Sequence, residues 1–303
     1  MRVALTGATG VIGKAVVPTL VDAGHDVVAL ARTSEKADQL TRMGATPVRA
    51  SLQDHAGLVA LFDDADAVCN FATHVPVGLA ALRRGAWRVN DRLRTEGVRR
   101  VVEAAREAGV RRIVQESVSF VYADAGDEWV TEESPVAITR ATEPASVGES
   151  HVQGYACDSR TGVVLRLGTI VGDDPLTRFQ LRALRHGMAI GLGSPDGWAH
   201  VMHTDDLGPA VIAALAAPSG VYNVGSEPVR RFELVAGFSA AAGRESIDFM
   251  GPLMRRVGGV RLEPLARSLR VSSERLTGAT GWEPQRAKFD STWFEGLPSR
   301  EAV

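Results

Sequence analysis

The sequence predicts an α/β fold, a doubly wound parallel sheet with a small C-terminal substrate lobe, on three observations. The chain opens with a short apolar run that breaks into glycines just before an apolar helix pattern begins. Strand-like and helix-like segments then alternate as far as Arg166, which is typical of a parallel sheet with helices on both faces. With 303 residues, 45% of them hydrophobic, the chain is long enough to bury a full core.

The individual elements are predicted from apolar runs and from helical periodicity. The predicted strands are Val3–Leu5, Val27–Leu30, Thr46–Arg49, Ala67–Phe71, Arg112–Gln115, Val163–Arg166 and Val221–Val224. The predicted helices are Gly13–Ala23, Ser34–Met43, His55–Phe62, Trp87–Ala108, Ala145–Cys157, Arg178–His186 and 204–217. Gly24 and Gly109 suit the C-terminal caps of two of these helices. Pro18 predicts a kink in the first one.

The glycine-rich turn between the first strand and the first helix predicts a dinucleotide site. Gly7 permits the tight turn, Gly10 lets backbone N–H groups approach a diphosphate, and Gly13 lets the helix pack close to the strand. The helix N-terminus adds partial positive charge toward the phosphates. Thr9, Val11 and Ile12 complete this predicted contact. The alternative is a glycine-rich turn without a ligand.

The predicted domains follow from where this alternation stops. Residues 1–172 form the dinucleotide-binding domain, and 201–225 return to it. Residues 173–200 and 226–303 form the small substrate-binding lobe.

The composition indicates which classes of binding partner are not expected. Thirty-four basic against 36 acidic residues give a net charge of −2, which carries no footprint for nucleic acid or for a membrane surface. No segment has the pattern of a signal peptide or a membrane span, so a cytoplasmic location is expected. Cys69 and Cys157 are expected to be free thiols, and no metal site is expected.

Motifs along nearly the whole chain resemble those of the extended short-chain dehydrogenase/reductases, the NAD(P)-dependent epimerase/dehydratase family. They are Thr6–Gly13, Asp66–Ala72, Asn90, Tyr122, Leu165–Gly168, His203–Asp206, Tyr222–Gly225 and Thr280–Trp282 with Pro284. The resemblance implies a Rossmann-like sheet, a nicotinamide dinucleotide and a substrate lobe. It also implies cofactor contacts from Thr33, Ser51, Leu52, Phe71, Ala72, Thr73, Asn90, Gly168 and Ile170.

The second strand indicates which dinucleotide is bound. An NAD enzyme usually places Asp or Glu about 20 residues past the glycines. Here Ala31 takes that place and Arg32 follows. Arginine can pair with a ribose 2′-phosphate, so NADP is predicted rather than NAD. A solvated surface arginine is the alternative.

The catalytic pattern that the resemblance implies is missing. The family uses a Ser or Thr after the fifth strand and a Tyr-x-x-x-Lys pair on a helix. Val118, Ala141 and Ala145 align with those three positions. The only lysines are Lys14, Lys36 and Lys288, and none follows a tyrosine by four residues. Ordinary carbonyl reduction should suffer, because proton transfer contributes about 10²–10⁴-fold to rate.

Other side chains are candidates for the missing group. Glu116, Ser117, Ser119 and Tyr122 follow or end the fifth strand, where ligands bind in such sheets. A glutamate paired with an arginine, turn serines and a structural tyrosine are the alternatives. Substrate contacts are predicted for His74, Arg178, Trp198 and His203.

These observations favour an atypical NADP-dependent oxidoreductase or epimerase-like enzyme that acts on a small organic substrate with non-standard proton transfer. A non-redox isomerase, cyclase or lyase with structural NADP is the first alternative, and an NADP(H)-sensing binding protein is the second. The long helices near 87–108 and 145–157 are compatible with a homodimer.

Overall fold

A computed structural model describes residues 1–83, 85–251 and 261–297. Its strands in chain order are β1 (Arg2–Thr6), β2 (Asp26–Ala31), β3 (Thr46–Arg49), β4 (Ala67–Asn70), β5 (Arg112–Val118), β6 (Trp129–Val130), β7 (Thr161–Leu167), β8 (Thr169–Val171), β9 (Trp198–Ala199), β10 (Val201–His203), β11 (Gly220–Val224), β12 (Val229–Arg230) and β13 (Arg270–Val271).

The helices lie between these strands. They are α1 (Val11–Asp22), α2 (Ser34–Arg42), α3 (His55–Phe62), α4 (Arg88–Arg92), α5 (Val98–Glu107), α6 (Glu143–Gln153), α7 (Pro175–Arg185), α8 (Leu207–Ala216), α9 (Arg231–Ala241) and α10 (Glu274–Thr280). A π-helical turn, Leu93–Gly97, joins α4 to α5 without a break.

The central sheet has the order β11-β7-β5-β4-β1-β2-β3, and every neighbouring pair in it is parallel. The order reverses direction at β1, because β2 and β3 lie on one side of it and β4 and β5 on the other. Ligands of open α/β sheets bind beyond the carboxyl ends of the strands at such a reversal. The predicted fold class is confirmed.

Apolar side chains cover both faces of the sheet, which is why its strands are hydrophobic without alternation. On one face, Val16, Val17 and Leu20 of α1 pack with Val211 of α8. On the other face, side chains of α3, α5 and α6 pack on Val68 and its neighbours. The helices therefore cover the faces and leave the carboxyl edge of the sheet for function.

Several predicted boundaries hold and others shift. Thr46–Arg49 and His55–Phe62 agree with the structure residue for residue, and Asp54 caps the latter helix by accepting a hydrogen bond from the backbone of Gly57 at 3.0 Å. Strand β5 continues three residues past the predicted end at Gln115. Glu116 and Ser117 are polar but still pair with β7, so the apolar run ends before the strand does.

Among the remaining described residues, six short strands form three two-stranded pairs outside the central sheet. Strand β8 pairs with β10, β9 with β12, and β6 with β13. Trp293 is the largest buried side chain of a cluster that packs α7 and α9 together. Residues 252–260 and 298–303 of the predicted lobe lie outside the described residues. Of the helices that are described, none combines the length and the apolar composition needed to cross a bilayer.

Candidate active site

The glycine loop has the shape that a dinucleotide diphosphate requires. Gly7 has φ +73°, and a Cβ there would lie 2.3 Å from the backbone of Phe71. A Cβ on Gly13 would lie 2.4 Å from the backbone of Ala8, so α1 can approach the loop only with glycine at that position. Gly10 begins α1 without any side-chain cap. The N–H groups of the first turn are therefore free to bind an anion.

Three cations gather beyond the ends of β2 and β3. Arg32 follows β2 and is exposed, and Arg49 ends β3 and donates to the Ser34 hydroxyl at 2.9 Å. Burial and the positive charge of Arg32 lower the pKa of the Lys36 ammonium. Within the described ranges, no carboxylate forms an ion pair with Arg32, Lys36 or Arg49. Thr33 caps α2 beside them.

A buried chain of hydrogen bonds runs across the carboxyl ends of three central strands. The Thr6 hydroxyl donates to Asn70, the Asn70 amide donates to Gln115 at 2.7 Å, and the Gln115 amide donates to the carbonyl of Glu116 at 2.7 Å. These bonds fix the backbone near the carboxyl end of β5, where Glu116 lies.

Glu116 is 4% exposed, and its two carboxylate oxygens have different surroundings. Its Oε2 accepts a hydrogen bond from Arg94 at 3.0 Å, while Oε1 has no partner among the described residues. Burial raises the pKa of this carboxyl, Arg94 opposes the rise, and the charge of Glu149 adds to it. The pairing with an arginine therefore exists, and it still leaves one oxygen free.

A second buried ion pair lies next to the first. Arg166 of β7 donates to both oxygens of Glu149 on α6, at 3.0 and 2.7 Å. Ser117 donates its hydroxyl to Glu149 at 2.5 Å. Each of the two buried glutamates is thus in contact with one arginine, Glu116 with Arg94 and Glu149 with Arg166.

Tyr122 and Ser119 complete the turn after β5. Tyr122 is fully buried and donates to Asn223 at 2.7 Å, and the Arg166 guanidinium lies 4.8 Å from the centre of its ring. The buried Ser119 hydroxyl has no partner in the part of the chain that the structure describes. Of the four predicted catalytic side chains, Glu116 and Ser119 therefore have free atoms.

Most of the other predicted cofactor residues lie at the same edge. Ser51 and Leu52 follow β3, Phe71, Ala72 and Thr73 follow β4, and Gly168 and Ile170 follow β7. Asn90 is buried on α4 and accepts a hydrogen bond from the backbone of His74 at 3.2 Å. His74 is exposed just beyond Thr73.

Three predicted substrate residues have their contacts away from the turn after β5. Arg178 pairs with Asp173, and Trp198 donates to Asp127 at 2.9 Å. The buried His203 packs edge-on against Trp293, with ring centroids 5.3 Å apart. Within residues 1–83, 85–251 and 261–297, no side-chain hydrogen bond or ion pair of these three reaches the turn after β5.

Comparison with known proteins identifies the family. A family model described as NAD(P)H-binding matches residues 7–151. The 3-diazoavenalumate denitrifying reductase of a Streptomyces species is 30% identical over 313 residues, which span 98% of this chain and 99% of that protein. The chain belongs to the extended short-chain dehydrogenase/reductases. It is therefore an NAD(P)-binding protein of the oxidoreductase and epimerase type.

Solved structures of extended short-chain dehydrogenase/reductases share the fold. The Thermus thermophilus UDP-glucose 4-epimerase, in complex with NAD, has a TM-score of 0.75, 22% identity and coverage of 94% of each chain. The Streptomyces venezuelae dTDP-glucose 4,6-dehydratase DesIV, a double mutant with NAD bound, has a TM-score of 0.76 and 19% identity, over 94% of this chain and 92% of that one.

This extended short-chain dehydrogenase/reductase carries alanines where the Tyr-x-x-x-Lys pair aligns. Ala141 lies before α6, and Ala145 is buried on it. Neither methyl group can transfer a proton. The same helix still contributes Glu149, four residues further on, to the charged cluster. The cations of that cluster come from Arg94 and Arg166, on other elements.

Two buried side chains of this family member's site belong to no motif of the sequence. They are Arg94, which is bonded to Glu116, and Gln115, which links Asn70 to the backbone of Glu116. A charged or amide residue inside an otherwise apolar strand, as in Val114-Gln-Glu-Ser and Leu165-Arg-Leu, was the available signal. Nothing local in the sequence marks Arg94. No group of three or more His, Cys, Asp or Glu in the described residues is placed to hold a metal ion.

Proposed function

We propose that the protein is an NADP(H)-dependent reductase of a small organic substrate, with Glu116 in place of the missing tyrosine as proton donor. The observation that carries the proposal is the buried Glu116 carboxyl at the end of β5, with one oxygen on Arg94 and the other unpartnered. It lies two strands from the glycine loop of β1, at the edge where a dinucleotide bound to that loop would extend.

The cations beyond β2 and β3 support NADP over NAD. Arg32 and Arg49 can each donate several hydrogen bonds to a 2′-phosphate, and Lys36 adds a third positive charge. Ser34, already in contact with Arg49, adds a hydroxyl. The three cations lack carboxylate partners within the described residues, which leaves their charge available for an anion.

The chain's residues divide the chemistry among them. When bound, the dihydronicotinamide supplies a hydride. Arg94 occupies Oε2 of Glu116, so we assign the proton of the neutral carboxyl to Oε1, which is buried and has no hydrogen-bond partner among the described residues. The raised pKa keeps a larger fraction of the acid protonated. After the proton leaves, Arg94 stabilises the carboxylate. Ser119 has a free hydroxyl and holds the substrate beside Glu116.

The other predicted site residues fill supporting places. Ser117 and Tyr122 donate their hydroxyl hydrogens to Glu149 and Asn223, so they orient the site. His74 contacts the substrate from the loop after β4. The substrate is bordered on the lobe side by Arg178, Trp198 and His203.

The reductase relative from Streptomyces favours reduction over a non-redox reaction. Its name specifies a diazo compound that loses nitrogen on reduction, and it covers this chain almost end to end. Aromatic diazo compounds and conjugated carbonyl compounds are therefore the first substrates to test. A non-redox isomerase or lyase is the second candidate, because the Tyr-x-x-x-Lys pair is absent.

Binding tests the cofactor assignment first. NADPH and NADH affinities are measured by fluorescence titration for the wild type, Arg32→Ala and Arg42→Ala. Arg42 is an exposed arginine in the last turn of α2 and serves as control. We expect Arg32→Ala to lose about 10- to 100-fold in NADPH affinity, the value of hydrogen bonds to a charged group. NADH affinity should not change. Equal losses for both dinucleotides would contradict the NADP assignment.

Turnover tests the proton donor. The loss of NADPH absorbance is followed with the diazo and carbonyl panel for the wild type, Glu116→Gln and Glu103→Gln, the last at an exposed glutamate. With the carbonyl substrates, hydride goes to the carbonyl carbon and the proton of Glu116 goes to the oxygen, so removal of this general acid should slow Glu116→Gln about 10²–10⁴-fold. Product formed without net NADPH oxidation would point instead to the non-redox enzyme.

A further inference from the structure

We propose that Arg94 is the positioning residue for Glu116, taking from a neighbouring helix the part that a lysine on α6 would otherwise play. This inference rests on the proposed function of Glu116. Arg94 fixes which carboxylate oxygen faces the substrate, and it stabilises the carboxylate that remains after proton transfer.

The π-helical turn explains how an arginine comes to lie there. Arg94 belongs to Leu93–Gly97, and it is 8% exposed although its neighbours Arg92 and Glu96 face solvent. A π turn inserts one extra residue into a helix, and such turns are frequent at functional sites. Burial of an arginine is costly unless a partner meets it. Glu116 is the partner, at 3.0 Å.

The packing of α6 holds this turn in place. A Cβ on Gly148 would lie 2.6 Å from the carbonyl oxygen of Arg94 and 3.3 Å from the Val98 side chain. Glycine at position 148 therefore lets α6 lie directly on the backbone of Arg94. Ala145 is one turn earlier on that helix and carries only a methyl group.

The charges around Glu116 leave Arg94 as its cation. Glu149 of α6 is the other carboxylate near it, and Arg166 of β7 is bonded to both oxygens of Glu149. Arg166 is thus committed elsewhere. Among the described residues, Arg94 is the only basic side chain in an ion pair with Glu116. Removing its charge leaves burial and Glu149, both of which raise the pKa of Glu116.

The charge at position 94 and the ionisation of Glu116 are therefore coupled. A neutral residue at position 94 makes Glu116 harder to deprotonate, so the acid holds its proton but gives it up poorly. Lysine at position 94 restores the charge without the fixed fork of the guanidinium. Because Glu116 can neutralise itself by binding a proton, a neutral variant buries no unpaired charge at neutral pH, and it is expected to fold.

The experiment compares Arg94→Gln and Arg94→Lys with Arg99→Gln, an exposed arginine on α5. The midpoint of Glu116 titration is read without turnover, from the carboxyl infrared band that Glu116→Gln removes. We expect Arg94→Gln to raise this midpoint by at least about one pH unit and Arg94→Lys to bring it back toward wild type. NADPH affinity should stay within about twofold in all three, since position 94 lies outside the glycine loop.

A double-mutant cycle completes the test. Arg94→Gln should slow reduction at least about tenfold alone, and by less than about twofold in a Glu116→Gln background, because the two act together. An unmoved midpoint in Arg94→Gln, or an equal slowing in both backgrounds, overturns the inference. A wild-type rate in Glu116→Gln would instead defeat the proposed proton donor, while the midpoint still judges whether Arg94 sets the ionisation of Glu116.

Discussion

The buried His200 lowers the free energy of unfolding as the pH falls, and the size of this loss can be calculated. This residue joins β9 to β10 in the chain, is 2% exposed, and has no hydrogen-bond partner on either ring nitrogen within the described residues. A Cβ on Gly225 would lie only 2.1 Å from Nε2, so the ring packs directly against Gly225. Burial lowers the pKa of this imidazole from 6.5 to about 3.

The direction of the effect follows from the two pKa values. The unfolded chain binds a proton at this histidine below pH 6.5, and the folded chain does so only near pH 3. Stability from neutral His200 is therefore complete above pH 6.5 and is lost as the pH falls toward 3. The slope reaches about 1.4 kcal/mol per pH unit, and the loss between pH 7 and pH 5 amounts to about 2 kcal/mol.

Urea unfolding at pH 7 and pH 5 measures this loss in the wild type, His200→Asn and His74→Asn. Exposed His74 serves as the control. Buried carboxyls such as Glu116 and Asp206 have raised pKa values and act in the opposite direction, so the difference between variants is the quantity to compare. His200→Asn should lose about 2 kcal/mol less than the wild type between the two pH values. Equal losses in both proteins would refute the burial of a neutral imidazole.

Two further substitutions test the site and its support. Gly13→Ala should weaken NADPH binding more than about tenfold and destabilise the fold by about 1–3 kcal/mol, because its Cβ would lie 2.4 Å from backbone atoms. Gly278→Ala, in open space, should be close to neutral by both titration and thermal unfolding. Arg166→Met should cost about 3–5 kcal/mol in urea unfolding, because Glu149 stays buried without its cation. Arg99→Met, at an exposed pair, should cost no more than about 1 kcal/mol; equal costs would contradict the burial argument.

The parts of the fold that the sequence predicts well depend on neighbours in the chain. The glycine turn at Gly7 and Gly10 and the helix that follows Asp54 carry their own signals, a tight turn in one case and a side-chain cap in the other. Strand ends are harder. Strand β5 extends over Glu116 and Ser117 because β7 pairs with them, and that pairing partner is 49 residues away along the chain for Glu116↔Leu165.

In the candidate site, too, the features that depend on local sequence could be predicted and those that depend on distant residues could not. The position of Glu116 toward the carboxyl end of a central strand could be predicted from the order of elements, and so could the arginine after β2. The partner of Glu116 could not, because Arg94 reaches it through a π turn that no residue pattern announces. Nor could the pairing of Arg166 with Glu149, which needs the register of β7 and the rotation of α6.

Replacing a tyrosine and lysine by a carboxylic acid has a physical consequence for pH. A tyrosine that a nearby lysine activates can cycle its proton near neutral pH, whereas a carboxyl does so only if its environment opposes ionisation. Burial of Glu116 supplies that opposition, and Glu149 adds to it. Reduction should therefore slow as the pH rises through the pKa of Glu116. The one hydrogen bond from Arg94 helps to set the pH at which that decline begins. A second hydrogen bond from an arginine to the carboxylate of Glu116 would favour its ionised form further and leave less of the acid protonated.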